Sequence, residues 1–231
     1  AMNSSMWKHA ATMANVKLLR TRGVEFIGPA VGAMASPEEQ PGPGRMSEPE
    51  EILSTIEENF ALRFSMAGKK IVITAGRTEE PLDEVRVLTN RSSGRMGVAL
   101  AEEAADRGAD VVLVHGPMEV SPPGNVRCRK ISTAVELLES CREELPDSDA
   151  VIYAAAVADW RPKSPRTGKP GKESAKSLII ELEENPDVAA MTSGLCKGLK
   201  IGFSLEETTG LDRARQKLKA KGLDVILLNT L

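Results

Sequence analysis

Aromatic side chains are scarce, with Phe, Trp and Tyr supplying 3% of 231 residues. A core must therefore be aliphatic, packed from Val, Ile, Leu, Ala and Met. Cysteine is equally sparse. Cys128, Cys141 and Cys196 stand far apart with no CxxC pair, which excludes a disulfide framework and a zinc ribbon and leaves packing in a reducing compartment as their expected role. No apolar run approaches the ~20 residues needed to span a bilayer. No basic stretch leads into an apolar one at the N-terminus, so no secretory signal is visible and the cytoplasm is the expected location. A formal charge of −3 gives no reason to expect nucleic acid or an anionic membrane as partner. Two phosphate-binding signatures are also missing: no GxGxxG directly follows a strand pattern, and no GxxxxGK[ST] occurs.

What is present, 41% hydrophobic and 27% charged residues, suits one or two globular domains. From Lys69 onward, β-branched runs alternate with helical patterns. "KIVITAG", "DVVLVHG", "AVIYAAAVAD", "LKIGFSL" and "DVILLN" read as strands buried on both faces. "GRMGVALAEEAADRGA", "STAVELLESCREEL", "PDVAAMTSGLCKG" and "LDRARQKLKAKG" read as helices, with Gly108 and Gly222 where C-terminal caps belong. This alternation predicts an α/β fold, a Rossmann-like three-layer arrangement on a mostly parallel sheet. Ligands of such sheets bind beyond the carboxyl ends of the strands. Before Lys69, "HAATMANVKLLRTRG" and "EEILSTIEENFALRF" read as helices, "EFIGP" as a strand and "SPEEQPGPGRMSEP" as a Pro/Gly-rich loop. Residues 1–64 are expected to be the tail of one domain plus a linker, and residues 65–231 a second domain.

Three loops carry polar chemistry. The excursion "AGRTEEPLDEVRVLTNRSSG" ends in Ser92, Ser93 and Gly94 at a helix start. Free N–H groups and the helix dipole there suit an anion, while the two serines equally suit simple N-capping. "AAAVADWRP" brings small residues, including Ala155, to the carboxyl end of a strand with Asp159 behind them. A flat ligand could lie on that backbone, and a close-packed alanine strand ending in a turn aspartate reads the same way. "RPKSPRTGKPGKESAK" carries six basic residues against one acid without periodicity. It reads either as a solvated loop or as a flexible lid whose lysines close on a polyphosphate. Lys217 and Lys221, four apart, share a helix face.

At these loops the chain resembles phosphopantothenoylcysteine synthetase of the bacterial and archaeal coenzyme A biosynthesis type. The likeness runs in order through "ITAGRTEEPLDEVRVLTNRSSGRMG", "AAAVADWRP", "GKPGK", "LEENPDV", "GFSLEET" and "KLKAKGLDVILLN". "AMNSSMW" and "GPGRMSEP" resemble the end of the flavin-dependent phosphopantothenoylcysteine decarboxylase, often fused ahead of the synthetase. The resemblance implies a CTP-dependent ligase. CTP activates the carboxylate of 4′-phosphopantothenate as an acyl-cytidylate with loss of pyrophosphate, and the amine of cysteine then displaces CMP. It also implies roles. Asn90 would stabilise charge on the acyl intermediate, and Ser92, Ser93 and Gly94 would hold the substrate phosphate. Ala155, Asp159, Pro186, Asp187, Val188, Ala189, Phe203, Lys217 and Lys221 would contact the nucleotide. Lys169, with Lys172 nearby, would reach the triphosphate. Mg²⁺ should accompany CTP, and the family works as a homodimer.

The departures from that family are specific. Asn3 matches the decarboxylase's active-site asparagine, but "ASP" with Ser36 stands where that family carries a cysteine in "ACG". Decarboxylation is therefore not expected, and FMN is expected only alongside a complete decarboxylase domain. The synthetase pattern is expected to continue beyond "NTL". A nicotinamide oxidoreductase lacks its glycine fingerprint, and Val157 follows Tyr153 where a YxxxK pair would need lysine. A non-catalytic fragment that binds nucleotide or assembles with a decarboxylase stays open.

Overall fold

The computed structural model describes residues 2–33, 41–168, 178–206 and 210–230. The chain divides into two compact units, Ala1–Arg63 and Phe64–Leu231.

The first unit holds helices α1 (Ser4–Trp7) and α2 (Ala10–Thr21), strands β1 (Ala30–Gly32) and β2 (Gly42–Arg45), and helix α3 (Pro49–Arg63). The two strands pair antiparallel. Here two expectations fail. "EFIGP" is not a strand, because Gly28 turns the chain at φ +79° and Pro29 brings no N–H to a ladder, so pairing starts at Ala30. Part of the Pro/Gly-rich loop is instead the partner strand β2.

The second unit opens on β3 (Lys70–Ala75), a hairpin of β4 (Glu79–Pro81) and β5 (Val87–Thr89), and helix α4 (Arg95–Asp106). Then come β6 (Asp110–His115), β7 (Arg127–Lys130), α5 (Ala134–Glu144) and β8 (Ala150–Tyr153). Strands β9 (Trp160–Pro162) and β10 (Leu182–Glu184) pair antiparallel, and α6 (Val188–Thr192), β11 (Leu199–Glu206), α7 (Leu211–Ala220) and β12 (Val225–Thr230) complete the unit.

Six strands form one sheet in the order β12-β11-β8-β3-β6-β7, every neighbouring pair parallel. The chain leaves β3 toward β6 and β7, then crosses back through α5 to β8 on the other side of β3. Strand order therefore reverses between β3 and β8, and the loops leaving these two strands diverge there. Such a switch point opens a crevice beyond the strands' carboxyl ends.

The pleat sorts the core into two layers. Ile71, Ile73, Val111 and Leu113 pack with Ala101 and Ala104 of α4. Val72, Val112, Val114 and Val151 pack with Leu137, Leu138 and Cys141 of α5 and Val188 of α6. Burying one Val or Leu side chain contributes about 1.5–3 kcal/mol, so β3, β6 and β8 anchor the sheet. Edge strand β7 does not: its Arg127, Cys128 and Lys130 are exposed. Cys128 thus departs from the packing role expected of the cysteines, whereas Cys141 and Cys196 are buried, and burial pushes the Cys141 thiol up to about 12.

Helix ends follow the glycines. Gly108 and Gly222 take φ of +86° and +62° directly after the C-caps of α4 and α7. Two elements are shorter than expected. "AVIYAAAVAD" ends as a strand at Tyr153: Ala154 N is shared between the Thr74 carbonyl at 3.2 Å and the Thr74 hydroxyl at 3.1 Å, and Ala155 N turns to the same hydroxyl at 3.1 Å. "PDVAAMTSGLCKG" is helical only to Thr192 and tightens into a 3₁₀ turn over Ser193–Leu195, which Gly194 favours.

Candidate active site

A cavity of about 910 Å³ lies beyond the carboxyl ends of β3, β8 and β11. Its lining brings together Asn90 from the long excursion and Ala155 and Asp159 from the loop after β8. Pro186, Asp187, Val188 and Ala189 join them at the start of α6, with Phe203 of β11 and Lys217 and Lys221 of the α7 region. Residues named from segments more than 100 positions apart in sequence thus share one wall, because the parallel sheet delivers every crossover loop to the same edge. Lys169, Lys172 and Ser36 lie outside the described residues.

The floor is backbone. Between Ala154 and Asp159 the chain is nailed down by side chains that sequence reasoning passed over. The Thr74 hydroxyl accepts from two N–H groups, and that of Thr78 accepts from Ala158 N at 3.0 Å. Asn185 donates Nδ2 to Ala158 O at 2.8 Å, and its own N–H reaches Asp159 O at 2.8 Å. Asn90 Nδ2 donates to Val157 O at 2.8 Å, which leaves its second N–H and Oδ1 for a ligand. Two of the missed groups are legible afterwards: Thr74 is a hydroxyl set among the apolar residues Ile71–Ala75 of β3, and Asn185 precedes a proline at a helix start.

Ser92, Ser93 and Gly94 are not among the cavity's lining residues. They precede α4, whose N-cap is Gly94 itself at φ +77°, a conformation that favours glycine. Ser92 Oγ accepts from Gly94 N at 3.3 Å and Ser93 Oγ from Arg95 N at 3.5 Å. Both are long bonds, so the hydroxyls hold the first turn weakly and an anion of better geometry could displace them. Arg77 fixes this segment from below, donating Nη1 to Ser92 O at 3.1 Å and Nε to Glu79 at 3.2 Å.

The two lysines differ in their bonds. Lys221 Nζ pairs with Asp187 at 3.0 Å, and Asp187 also caps α6 by accepting from Ala190 N. Both charged ends are partly solvated, so this pair is worth about 0–1 kcal/mol and can open for a ligand. Lys217 Nζ instead donates to Glu206 at 2.5 Å and Ser204 at 3.1 Å. Glu206 and Ser204 are buried, at 6% and 3% exposure, so freeing the ammonium would leave the buried carboxylate with only the Ser204 hydroxyl at 2.8 Å and the Arg213 guanidinium at 3.6 Å. Lys217 therefore keeps Glu206 and has one N–H left for an anion. The Lys217 ammonium, then the Ser204 hydroxyl, hold the Glu206 carboxyl below its ordinary range. Three cations of the lining (Arg91, Lys217, Lys221) face three carboxylates (Asp159, Glu184, Asp187).

The basic loop is less free than its composition suggests. Over its described part, Trp160–Pro162 is a strand, and two of its cations are committed across it, Arg161 to Glu183 at 2.9 Å and Lys163 to Glu181 at 2.8 Å. Beneath it, Asp83 closes the β4–β5 turn, accepting from Val85 N, Arg86 N and Arg86 Nε at 2.9, 2.8 and 2.7 Å. The Arg86 guanidinium above all lowers the Asp83 carboxyl to about 2. A depressed folded value means that the stabilisation is complete above the unfolded value near ~4 and is lost as pH falls through the folded one. Asp83→Asn is thus expected to be less stable than the parent at neutral pH, with the gap closing between about pH 4 and 2. Urea midpoints across that range test this, and a gap that does not change with pH would refute it.

Among the described residues no helix is long and apolar enough to cross a membrane, and no three His, Cys, Asp or Glu side chains converge on a metal-sized site.

Comparison with known proteins bears on this geometry. Residues 66–231 match the family described as the DNA/pantothenate metabolism flavoprotein C-terminal domain, and residues 1–61 match the family described as Flavoprotein. The chain is 38% identical to the coenzyme A biosynthesis bifunctional protein CoaBC of Vibrio vulnificus over 232 aligned residues, covering 99% of this chain and 57% of that protein. It is also 38% identical to the CoaBC of Mycobacterium tuberculosis, covering 99% of this chain and 58% of that one. The chain therefore spans somewhat more than half the length of these curated relatives. The crystal structure of the C-terminal domain of a CoaBC superposes with a TM-score of 0.64 at 39% identity, covering 72% of this chain and 79% of that one. With the family match running through the whole Rossmann-like unit and its cavity, the chain belongs to the DNA/pantothenate metabolism flavoprotein C-terminal domain family.

Proposed function

We propose that the second unit is a phosphopantothenate–cysteine ligase of coenzyme A biosynthesis, using CTP. The nucleotide lies over the Ala155–Asp159 backbone with Phe203 against it, Asp159 and the α6 start around it, and Lys217 and Lys221 on its phosphates. The carboxylate oxygen of 4′-phosphopantothenate attacks the α-phosphorus, pyrophosphate departs, and an acyl-cytidylate remains. The cysteine amine then adds to the acyl carbon, the C–O bond to CMP breaks, and the amine loses a proton. Asn90 offers its remaining N–H to the oxygen that gains charge in this second step. The substrate phosphate is read at Ser92, Ser93 and the first turn of α4. Mg²⁺ is read as carried on the nucleotide phosphates, as this ion commonly is. A second copy of the chain completes a homodimer.

The observation that carries this reading is the Asn90–Val157 bond at 2.8 Å, which sets an amide donor directly on the proposed nucleotide bed. Similarity to coenzyme A biosynthesis bifunctional proteins supports the pathway, and no decarboxylation is proposed for Asn3, whose side chain caps α1 by accepting from Ser5 N at 2.8 Å.

The test is pyrophosphate release by the purified chain with CTP, Mg²⁺ and 4′-phosphopantothenate, with and without cysteine, and with ATP in parallel. Release that requires phosphopantothenate, and amide product only with cysteine, is expected. Turnover with ATP alone would replace the nucleotide, and no turnover with either would leave the reading of a non-catalytic nucleotide-binding fragment. Lys169→Ala should weaken CTP binding more than CMP binding, measured by calorimetry. Equal losses for both ligands would remove Lys169 from the triphosphate.

A further inference from the structure

Asn90 and the backbone bed come from segments that meet through one buried residue. Thr78 has no exposed surface and does not line the cavity. Two of its polar groups nevertheless end on the cavity wall, at Ala156 and Ala158, and the third on Thr89, the neighbour of lining residue Asn90. Thr78 Oγ1 accepts from Ala158 N at 3.0 Å, and Thr78 N donates to Ala156 O at 3.3 Å. Thr78 O accepts the hydroxyl of Thr89 at 2.6 Å. Thr89 is the residue before Asn90, and Asn90 returns to the same bed through Val157 O. The circuit closes: Thr89 to Thr78, Thr78 to Ala156 and Ala158, Val157 to Asn90. Opposite Thr89 on the hairpin stands Glu79, so the ladder sets the strand's register. The ladder ends there, however, and the Thr89 hydroxyl is the side-chain link between the hairpin's last residue and Thr78.

We propose that Thr78 and Thr89 are positioning residues for acyl transfer, the Thr89 Oγ1–Thr78 O bond holding the Asn90 amide against the Ala155–Ala158 bed. This rests on the ligase reading of the site. Neither threonine touches substrate. Their effect is on the distance between the Asn90 donor and the bound nucleotide, and a displacement of about 1 Å at a reacting centre can cost on the order of 100-fold in rate.

Thr89→Val keeps the side-chain volume and removes the donor, whereas Thr89→Ser keeps the donor and removes the methyl. Thr89→Val is expected to lower kcat for amide formation by about 10- to 100-fold with KM for CTP within about twofold. Thr89→Ser is expected to restore most of kcat. Thr78→Val, which removes an acceptor from the bed itself, should raise KM for CTP as well. A parental kcat in Thr89→Val, or a loss that Thr89→Ser shares, would overturn the proposal, since the hydroxyl would then not be the operative group. The same would follow if kcat fell only in step with the unfolding midpoint. A geometric readout separates this from the ligase reading. In a crystal structure of Thr89→Val, the Asn90 Nδ2–Val157 O contact is expected to open beyond hydrogen-bonding distance. An unchanged 2.8 Å contact would sink the proposal even if the parent chain turned nothing over.

Discussion

Asn90→Ala should lower amide formation by about 10²–10³-fold while CTP binding stays close to that of the parent. The asymmetry follows from geometry. One N–H of the amide is spent on Val157 O, a ground-state contact that orients the group. The remaining N–H can serve only a ligand, and the charge it would meet develops when the amine adds to the acyl carbon. A donor that gains strength only in the transition state affects turnover and leaves binding nearly untouched. In a single turnover, pyrophosphate should therefore still be released and the activated intermediate should accumulate. Rapid-quench analysis of acyl-cytidylate, CMP and amide would follow this directly. Unchanged turnover, or loss of CTP binding in proportion to turnover, would remove Asn90 from the acyl-transfer step.

A large structural effect is expected at Gly116, just after β6. A Cβ there would lie 1.8 Å from the backbone oxygen of Arg77 and 2.9 Å from its carbonyl carbon. Those atoms cannot yield cheaply. Gly116 N donates to Ala75 O at 3.1 Å and Arg77 N to Pro117 O at 3.3 Å, so the two chains are stitched together on both sides of the contact. Arg77 also bridges Ala156 and holds Ser92, so any shift propagates to the Ala155–Asp159 bed and to the segment that leads into α4. Gly116→Ala is expected to cost about 2–3 kcal/mol, near the upper end for overpacking. Gly94→Ala should cost less. Its Cβ would meet the Met118 side chain, which can swing away, and the left-handed backbone adds about 1–2 kcal/mol. Urea denaturation of the two variants decides this, and a Gly116→Ala protein within about 0.5 kcal/mol of the parent would contradict the close approach.

Much of this molecule is local, and the local part could be read from residues alone. Apolar runs such as "DVVLVHG" admit few alternatives to a buried parallel strand, because both faces must meet a helix. Gly108 and Gly222 end helices for the steric reason that only glycine enters the left-handed region without penalty. Resemblance to a synthetase family pointed to Asn90, Ala155, Asp159, the α6 start, Phe203, Lys217 and Lys221, which share the cavity because the parallel sheet delivers their loops to one edge, whereas Ser92, Ser93 and Gly94 stand outside its lining.

Tertiary structure decided the rest. No pattern in "AVIYAAAVAD" announces that the strand stops at Tyr153, because the hydroxyl that competes for the next N–H groups, that of Thr74, lies 80 residues earlier. Lys217 and Lys221 look equivalent on a helix face, yet one is tied to buried Glu206 and the other to half-exposed Asp187. The basic loop read as unpaired charge until Glu183 of β10 and Glu181 just before it arrived across from it. In each case the sequence determined which groups were available and the element that carried them. Which partner a polar group found depended on chain segments brought together only by folding, since hydrogen bonds and ion pairs are set by distances of about 3 Å that sequence separation does not encode.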